Sequence, residues 1–98
     1  MPKFDKLDPV IHAPVRLAVM TLLSQVVKAD FNYIKDATET TDGNLSTHLS
    51  KLEKVEFISI EKSFSGKKPL TMCAITNKGK NAYRSYLRSL QSYLQKGK

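Results

Sequence analysis

Small polar side chains dominate one segment in the middle of the chain, TDGNLSTHLSKLEK at residues 41–54. If Leu45, Leu49 and Leu52 face inward on a helix, the 100° step per residue turns the small side chains outward. Such a helix fits the major groove of duplex DNA, where hydroxyl and amide groups hydrogen-bond to base edges. The residues expected to contact DNA from this helix are Thr41, Gly43, Asn44, Ser46, Thr47, Ser50, Lys51 and Lys54. The alternative is an ordinary solvated helix face with capping residues at its start.

Positive charge is concentrated in the second half of the chain. Residues 57–98 carry nine lysines and arginines and a single acidic residue, Glu61, within a protein of net charge +7. This asymmetry indicates a polyanionic partner, either nucleic acid or an anionic membrane surface. Lys62, Lys67 and Lys68 belong to a predicted hairpin, and the lysines at its tip suit DNA phosphates or the minor groove. Counterion release would supply most of their affinity without reading sequence. The alternative is that these lysines only solubilise an exposed hairpin and block pairing at its edge.

The sequence carries no signature of catalysis or of a metal site. His12, His48 and Cys73 are the strong candidate metal ligands, and they lack the paired spacing of zinc sites. There is no glycine-rich phosphate loop, zinc-protease motif or nucleophile turn. We therefore predict no enzyme activity, no metal and no cofactor. Cys73 is expected to be buried, and His48 to be a half-buried structural residue whose use as a pH sensor stays open.

Three helices are predicted in the first half of the chain. Pro14 begins an apolar helix that continues to Val27, which should be central and buried. Asp30 caps a short second helix. Thr41 caps a third helix at about residues 42–55, and the second and third helices with the turn between them form a helix-turn-helix.

The second half is predicted to add a hairpin and a long helix. Two β-rich runs at about residues 57–75 surround turn-forming residues at 65–69. Thr76 caps a last helix at about residues 77–95. The chain is therefore expected to form one α+β domain over residues 1–98, mainly helical, with the hairpin as its main β-structure.

The last helix has an apolar stripe that little of the remaining sequence is left to cover. The stripe is expected to serve as core for its own domain, as a dimer seam, or as both. A two-fold dimer buries such a stripe by self-complementary contact, with the N-terminal arm closing over it. The predicted dimer interface comprises Phe4, Leu7, Ile11, Tyr83, Tyr86, Leu87, Leu90, Tyr93 and Leu94. An amphipathic helix on a membrane surface is less favoured, because the polar face is rich in serine and glutamine as well as basic residues. Without an apolar signal segment or a bilayer-spanning run, the protein is expected to be cytoplasmic.

This order of elements resembles the winged helix-turn-helix transcriptional regulators of the MarR/ArsR-like superfamily. The resemblance covers nearly the whole chain: LDPVIHAPVRLAVMTLL at residues 7–23 is similar to the opening helices and TDGNLSTHLSKLEK to the recognition helix. FISIEKSFSGKKPLTMCAIT and the following NKGKNAYRSYL are similar to the wing and the returning helix. Glu56 departs from the pattern, since such sequences often place a glycine there to end the recognition helix in a left-handed turn.

The resemblance implies sequence-specific binding of double-stranded DNA by a homodimer, and it implies no particular operator or small-molecule effector. A fold does not fix a function, so two further functions stay open. One is a winged-helix module that binds proteins, and the other is an architectural protein that binds DNA without sequence preference.

Overall fold

The computed structural model describes residues 4–96 and shows four helices with a three-stranded antiparallel sheet. The expected α+β winged-helix fold is confirmed. The elements in chain order are α1 (Pro14–Leu23), β1 (Ala29–Asp30), α2 (Phe31–Thr38), α3 (Asp42–Lys54), β2 (Ile58–Ser65), β3 (Lys68–Ile75) and α4 (Asn77–Lys96). The strand order is β1-β3-β2, so the hairpin of β2 and β3 is extended at its base by the short β1.

Local chemistry sets the start of each helix, as the sequence predicted. Pro14 lies in the first turn of α1. The side chain of Asp30 accepts a hydrogen bond from the Tyr33 amide at 2.7 Å, and Thr41 accepts one from the Asn44 amide at 3.2 Å. Thr76 does the same for α4, accepting from the Gly79 amide at 2.9 Å. Each cap satisfies an amide that the helix itself leaves without a partner.

The first helix is shorter than its apolar sequence predicted. It ends at Leu23, and Val27 is 89% exposed, so the expectation of a buried helix continuing to Val27 was wrong. The chain instead turns and forms β1, in which Ala29 pairs with Cys73 and Asp30 with Met72. This pairing depends on a strand more than forty residues away. The composition of the apolar run gave no sign of it.

The core lies between the first three helices and the base of the sheet. It includes Leu45, Leu49 and Leu52 of α3, which are almost fully buried, so the predicted apolar stripe of that helix is the one that packs inward. Cys73 is also in the core, as predicted. Burial, with the nearby negative charge of Glu53, raises the pKa of the Cys73 thiol to about 11 and keeps it in the neutral form at physiological pH.

Two glutamates end helices in the left-handed conformation that usually favours glycine. Glu39 follows α2 with φ of 52°, and Glu56 follows the C-cap residue of α3 with φ of 64°. The departure noted at Glu56 therefore does not change the exit of the helix, although the side chain costs about 1–2 kcal/mol there. The Thr76 hydroxyl donates to the Glu56 carbonyl at 2.6 Å, which ties this residue to the start of α4.

Gly79 allows α4 to begin close to the end of α3. A Cβ atom at Gly79 would overlap the carbonyl oxygen of Phe57, which already accepts a hydrogen bond from the Thr76 amide at 3.0 Å. Only a residue without a side chain fits against the backbone at this distance. The contact fixes the direction in which α4 leaves the domain.

Candidate nucleic-acid interface

One side of α3 is buried and the other presents small side chains to solvent. Ser46, Thr47, Ser50, Lys51 and Lys54 line one shallow, open surface of this helix. Gly43 and Asn44 are exposed at its N-terminal end. The structure thus brings together on one helix the residues predicted from their spacing. Hydroxyls and a methyl group at the centre of this surface, with lysines at its end, can meet base edges and phosphates respectively.

Two threonine hydroxyls in this region already make hydrogen bonds within the helix. Thr47 donates to the Gly43 carbonyl at 3.0 Å, which leaves its oxygen lone pairs and its methyl group available to a partner. Thr41 accepts from the Asn44 amide, and its hydroxyl is therefore occupied as a cap. Ser50 also lies on the outer surface of α3 and is exposed.

An ion pair spans the turn between α2 and α3. Lys35 Nζ lies 2.9 Å from Asp42 Oδ1 in the first turn of α3. The hydrogen bond from Lys35 to Asp42 and the carboxylate charge raise the pKa of the Lys35 ammonium. An exposed pair of this kind adds little free energy, but it joins the two helices across the turn.

His48 connects α3 to the N-terminal segment. Its Nδ1 lies 2.9 Å from Arg16 Nη1, and Arg16 also donates to the carbonyls of Val10 and Pro9. Because an arginine has only donors, His48 must accept through an unprotonated Nδ1. Burial, and then the positive charges of Arg16 and Lys51, lower the pKa of His48. The histidine is half-buried, as predicted, and Arg16 is a positioning residue that the sequence did not reveal.

The strand register divides the residues of the hairpin between its two faces. Every second residue of β2 lies on the same face, and these residues are Ile58, Ile60, Lys62 and Phe64. Ile58 lies in the core and Ile60 packs against it. Lys62 lines a groove of about 660 Å³ between the hairpin and α3, together with Ser46, Ser50, Ile60 and Thr71. Lys62 therefore lies on the side of the hairpin that faces the outer surface of α3.

The other two lysines of the hairpin occupy different places. Gly66 and Lys67 form the two-residue turn at the tip of the hairpin, and the φ of Gly66 is 65°. A positive φ at only the first central residue is typical of a type II′ turn. Lys68 pairs with Ser65 on the face opposite to Lys62. The three lysines predicted to contact phosphates are thus all exposed, but they point in three directions from the hairpin.

The residues predicted for the dimer interface divide into three groups by their burial in the single chain. Ile11 and Tyr86 are buried within the single chain, where the Tyr86 hydroxyl lies 2.8 Å from His12 Nδ1, so they have no surface to offer a partner. This corrects the expected interface. A helix stripe shows which residues are apolar, but not whether they pack on their own chain. Leu7, Tyr83 and Leu90 are partly buried against the same core.

The remaining apolar residues form an exposed surface along the distal part of α4. Leu87 is 42% exposed, Leu94 is 69% exposed, and Phe4 packs on Tyr93 with ring centroids 4.8 Å apart. The Tyr93 hydroxyl donates to the Asp5 carbonyl at 2.9 Å. The N-terminal arm therefore lies along α4 of its own chain. We use the term α4 surface for Phe4, Leu87, Tyr93 and Leu94.

The three candidate metal ligands are engaged separately. His12 contacts Tyr86, His48 contacts Arg16, and Cys73 lies in the core. Within residues 4–96, no group of three or more histidine, cysteine, aspartate or glutamate side chains is placed to hold a metal ion.

None of the helices in residues 4–96 combines the length and apolarity that a membrane span needs.

Comparison with known proteins extends the description from fold to family. The family model described as a winged helix DNA-binding domain matches residues 15–94, which takes in every helix and strand described above except the first residue of α1 and the last two of α4. An uncharacterized protein of Methanocaldococcus jannaschii is 37% identical over 78 residues, which are 80% of this chain and 85% of that protein.

Solved structures agree with this match. A transcriptional regulator homologue from Pyrococcus horikoshii OT3 has a TM-score of 0.82 and 30% identity, over 88% of this chain and 85% of that one. An ArsR family transcriptional regulator shares the fold with a TM-score of 0.59 and 21% identity, over 88% and 84% of the two chains. The predicted resemblance is confirmed at the level of the winged-helix fold and of the domain family. The chain belongs to the winged helix DNA-binding domain family.

Proposed function

We propose that the protein is a homodimeric transcriptional regulator that recognises a specific sequence in double-stranded DNA with α3. The observation that carries this proposal is the outer surface of α3, where serine and threonine side chains stand on a helix held by three buried leucines. Small side chains let the helix backbone approach base edges, and a rigid support keeps their hydrogen-bonding groups in register with the bases. Lys51 and Lys54 at the end of the helix suit the flanking phosphates.

The hairpin supplies attraction that does not depend on sequence. Lys62 shares the groove with Ser46 and Ser50, and Lys67 extends the positive charge to the tip. Phosphate contacts from such lysines position the protein and raise its affinity for every duplex. We refer to the hairpin of β2 and β3 as the wing from here on.

Selection of duplexes from a randomised DNA pool tests this function directly. We expect an enriched sequence, because the α3 surface combines several groups that discriminate between bases. Salt-sensitive binding without an enriched sequence would contradict specific recognition and indicate an architectural protein. No binding to any duplex would contradict the DNA-binding function and favour a module that binds proteins.

The α4 surface supports the homodimer. Leu87 and Leu94 are separated by two helical turns and both remain exposed in one chain, and Phe4 packs on Tyr93 of the same helix. Two copies packed about a two-fold axis bury this surface against itself. The two α3 helices then reach successive major grooves roughly 34–36 Å apart, so the enriched sequence should be an inverted repeat.

Charge substitution on α4 tests the dimer. Leu87→Glu combined with Leu94→Glu places two charges in the proposed seam and should give monomers with weaker operator binding. Leu90 is left unchanged because it packs partly against the core of its own chain. Asn81→Glu combined with Ser85→Glu is the matched control, since it adds the same charge at exposed positions on the side of α4 away from Leu87 and Leu94. A monomeric wild-type protein in sedimentation, or a Leu87/Leu94 variant that stays dimeric, would overturn the dimer.

A further inference from the structure

The tip of the wing carries an apolar pair that neither phosphate contact nor the core explains. Phe64 is 73% exposed although it belongs to a strand whose base is buried. Pro69 lies directly across from it on β3 and is exposed as well. A phenylalanine at the end of a hairpin contributes nothing to the packing of the domain in this position. Together with the exposed Pro69, it leaves an apolar pair open to a partner outside the chain.

The register shows that the two side chains stand together. Ser65 and Lys68 close the two-residue turn, so Phe64 and Pro69 form the next pair, in which the backbones do not hydrogen-bond to each other and the side chains are closest. In such a pair the backbone N–H groups point away from the partner strand. The N–H that Pro69 lacks would therefore have pointed to the outer edge of β3. On that edge β1 pairs with β3 only at Met72 and Cys73. A proline at position 69 therefore removes no hydrogen bond from the sheet.

The same register shows which way the pair faces. Phe64 is two residues beyond Lys62 on the strand face that lines the groove beside α3. Glu61, the acidic residue of this strand, is on the opposite face. If α3 occupies a major groove as proposed, the bordering phosphate backbone would pass on the Lys62 side of this groove, away from Asp42 and Glu53, which line its α3 side. The wing tip beyond it then meets the adjoining minor groove.

We propose that Phe64, supported by Pro69, is an apolar wedge that enters the minor groove next to the α3 site and bends the duplex there. This inference rests on the proposed function. Duplex DNA is the occupant that fits the surroundings, because Lys62 precedes the pair along its own face and Lys67 lies in the turn beyond it. Apolar side chains inserted between base steps unstack them and kink the helix axis, while neighbouring lysines neutralise the phosphates brought closer.

The wedge makes a prediction that lysine contacts do not make. A kink is easiest at flexible pyrimidine–purine steps, so the wing should select such a step although no hydrogen-bonding side chain reads it. The apolar contact should also add affinity that does not depend on salt, unlike the contribution of Lys67.

The test compares Phe64→Ala with Phe64→Leu and Lys67→Ala on the duplex selected by the wild-type protein. Affinity is measured over a range of salt concentrations, and bending by energy transfer between dyes at the two ends of the duplex. Phe64→Ala should weaken binding about tenfold, the effect of losing the burial of much of one phenylalanine, with an unchanged salt slope. The bend should be lost as well. Phe64→Leu should keep most of the bend, and Lys67→Ala should keep the bend but flatten the salt slope by about 0.9.

The outcomes separate this inference from the proposed function. If the wild-type protein selects a sequence and Phe64→Ala binds and bends it equally well, the wedge is overturned and the regulator function stands. If Phe64→Ala leaves DNA binding unchanged but abolishes self-association in sedimentation, the pair is a contact between copies of the chain and the wedge is again overturned. If the wild-type protein binds no duplex, both proposals fall. Because Phe64 is exposed, the thermal unfolding midpoint should not change, which excludes misfolding as the cause.

Discussion

The two parts of the molecule that are proposed to contact DNA, α3 and the wing, differ in how much support the rest of the domain gives them. α3 is supported along its length by three buried leucines, capped by Thr41, and tied to its neighbours through Asp42 and His48. In the wing only the base lies in the core, and every residue from Glu61 to Pro69 is exposed. Contacts that discriminate between bases need fixed geometry, whereas contacts with phosphates tolerate movement. The difference in support therefore matches a division between recognition and affinity.

Replacing a supporting leucine of α3 should produce the largest effect. Leu45→Ala should lower the free energy of unfolding by about 2–5 kcal/mol, because a fully buried leucine leaves a cavity when it is truncated. Chemical denaturation measures this loss. Phe64→Ala in the exposed wing is the comparison and should change stability very little. Equal losses in the two variants would mean that α3 is supported no better than the wing.

Substitutions on the outer surface of α3 should change specificity rather than stability. Thr47→Ala and Ser50→Ala each remove a group expected to contact a base, and the discrimination between selected and random duplexes should fall by about 1–3 kcal/mol. Repeated selection and competition binding measure the change. Ser63→Ala is the control, because Ser63 lies on the face of the wing away from α3. If both α3 variants select the same sequence with the same discrimination as the wild type, this surface does not read the bases.

Neutralising the lysines of the wing should weaken binding to all duplexes alike. In Lys67→Gln combined with Lys68→Gln, the slope of log K against log salt should flatten by about 0.9 for each lysine that contacts a phosphate. The single variants sharpen the comparison, since Lys67 is at the tip and Lys68 is on the face opposite to Lys62. Lys80→Gln, at an exposed position of α4, is the control for lost charge. An unchanged slope in the double variant would place the tip of the wing away from the DNA.

The smallest expected effect is a pH dependence of stability that comes from α3. The pKa of His48 is lower in the folded protein than its ordinary value of 6.5, so the unfolded chain binds more protons at mildly acidic pH. The contribution of this histidine is present above about pH 6.5 and is lost as the pH falls through that value towards the folded pKa. Thermal unfolding at several pH values should show a smaller acid loss in His48→Gln, whose amide oxygen can still accept from Arg16. An identical acid loss in both proteins would mean that other groups cause it.

The sequence predicted the features that depend on nearby residues. Asp30, Thr41 and Thr76 cap the helices they were expected to cap, because the amides they accept from lie three residues away. The leucine spacing also identified the buried side of α3, since periodicity follows directly from helix geometry. The exposed surface of that helix could be inferred for the same reason.

Features that depend on distant contacts were not predictable in this way. The end of α1 and the formation of β1 depend on pairing with β3, which no local pattern encodes. The positions of Ile11 and Tyr86 depend on how α4 packs on its own chain. The role of Arg16 has no local sequence signal, because its partner His48 lies thirty-two residues away. The alternation of residues in β2 carries a signal for the position of Phe64, but the lysines around it favour an interpretation based on charge alone.

If the protein is the proposed dimer joined through α4, the junction at Phe57, Thr76 and Gly79 would determine which spacing of the two half-sites it accepts. Thr76 bonds to the backbone of both Glu56 and Phe57, and Gly79 brings α4 against the Phe57 carbonyl. In a dimer joined through α4, this junction sets the distance between the two α3 helices. Adding one base pair between the halves of the site rotates one half by roughly 35° about the duplex axis, and a junction without a hinge cannot follow it. The protein should therefore accept a single spacer length, and Gly79→Ala, which forces α4 away from Phe57, should alter which length that is.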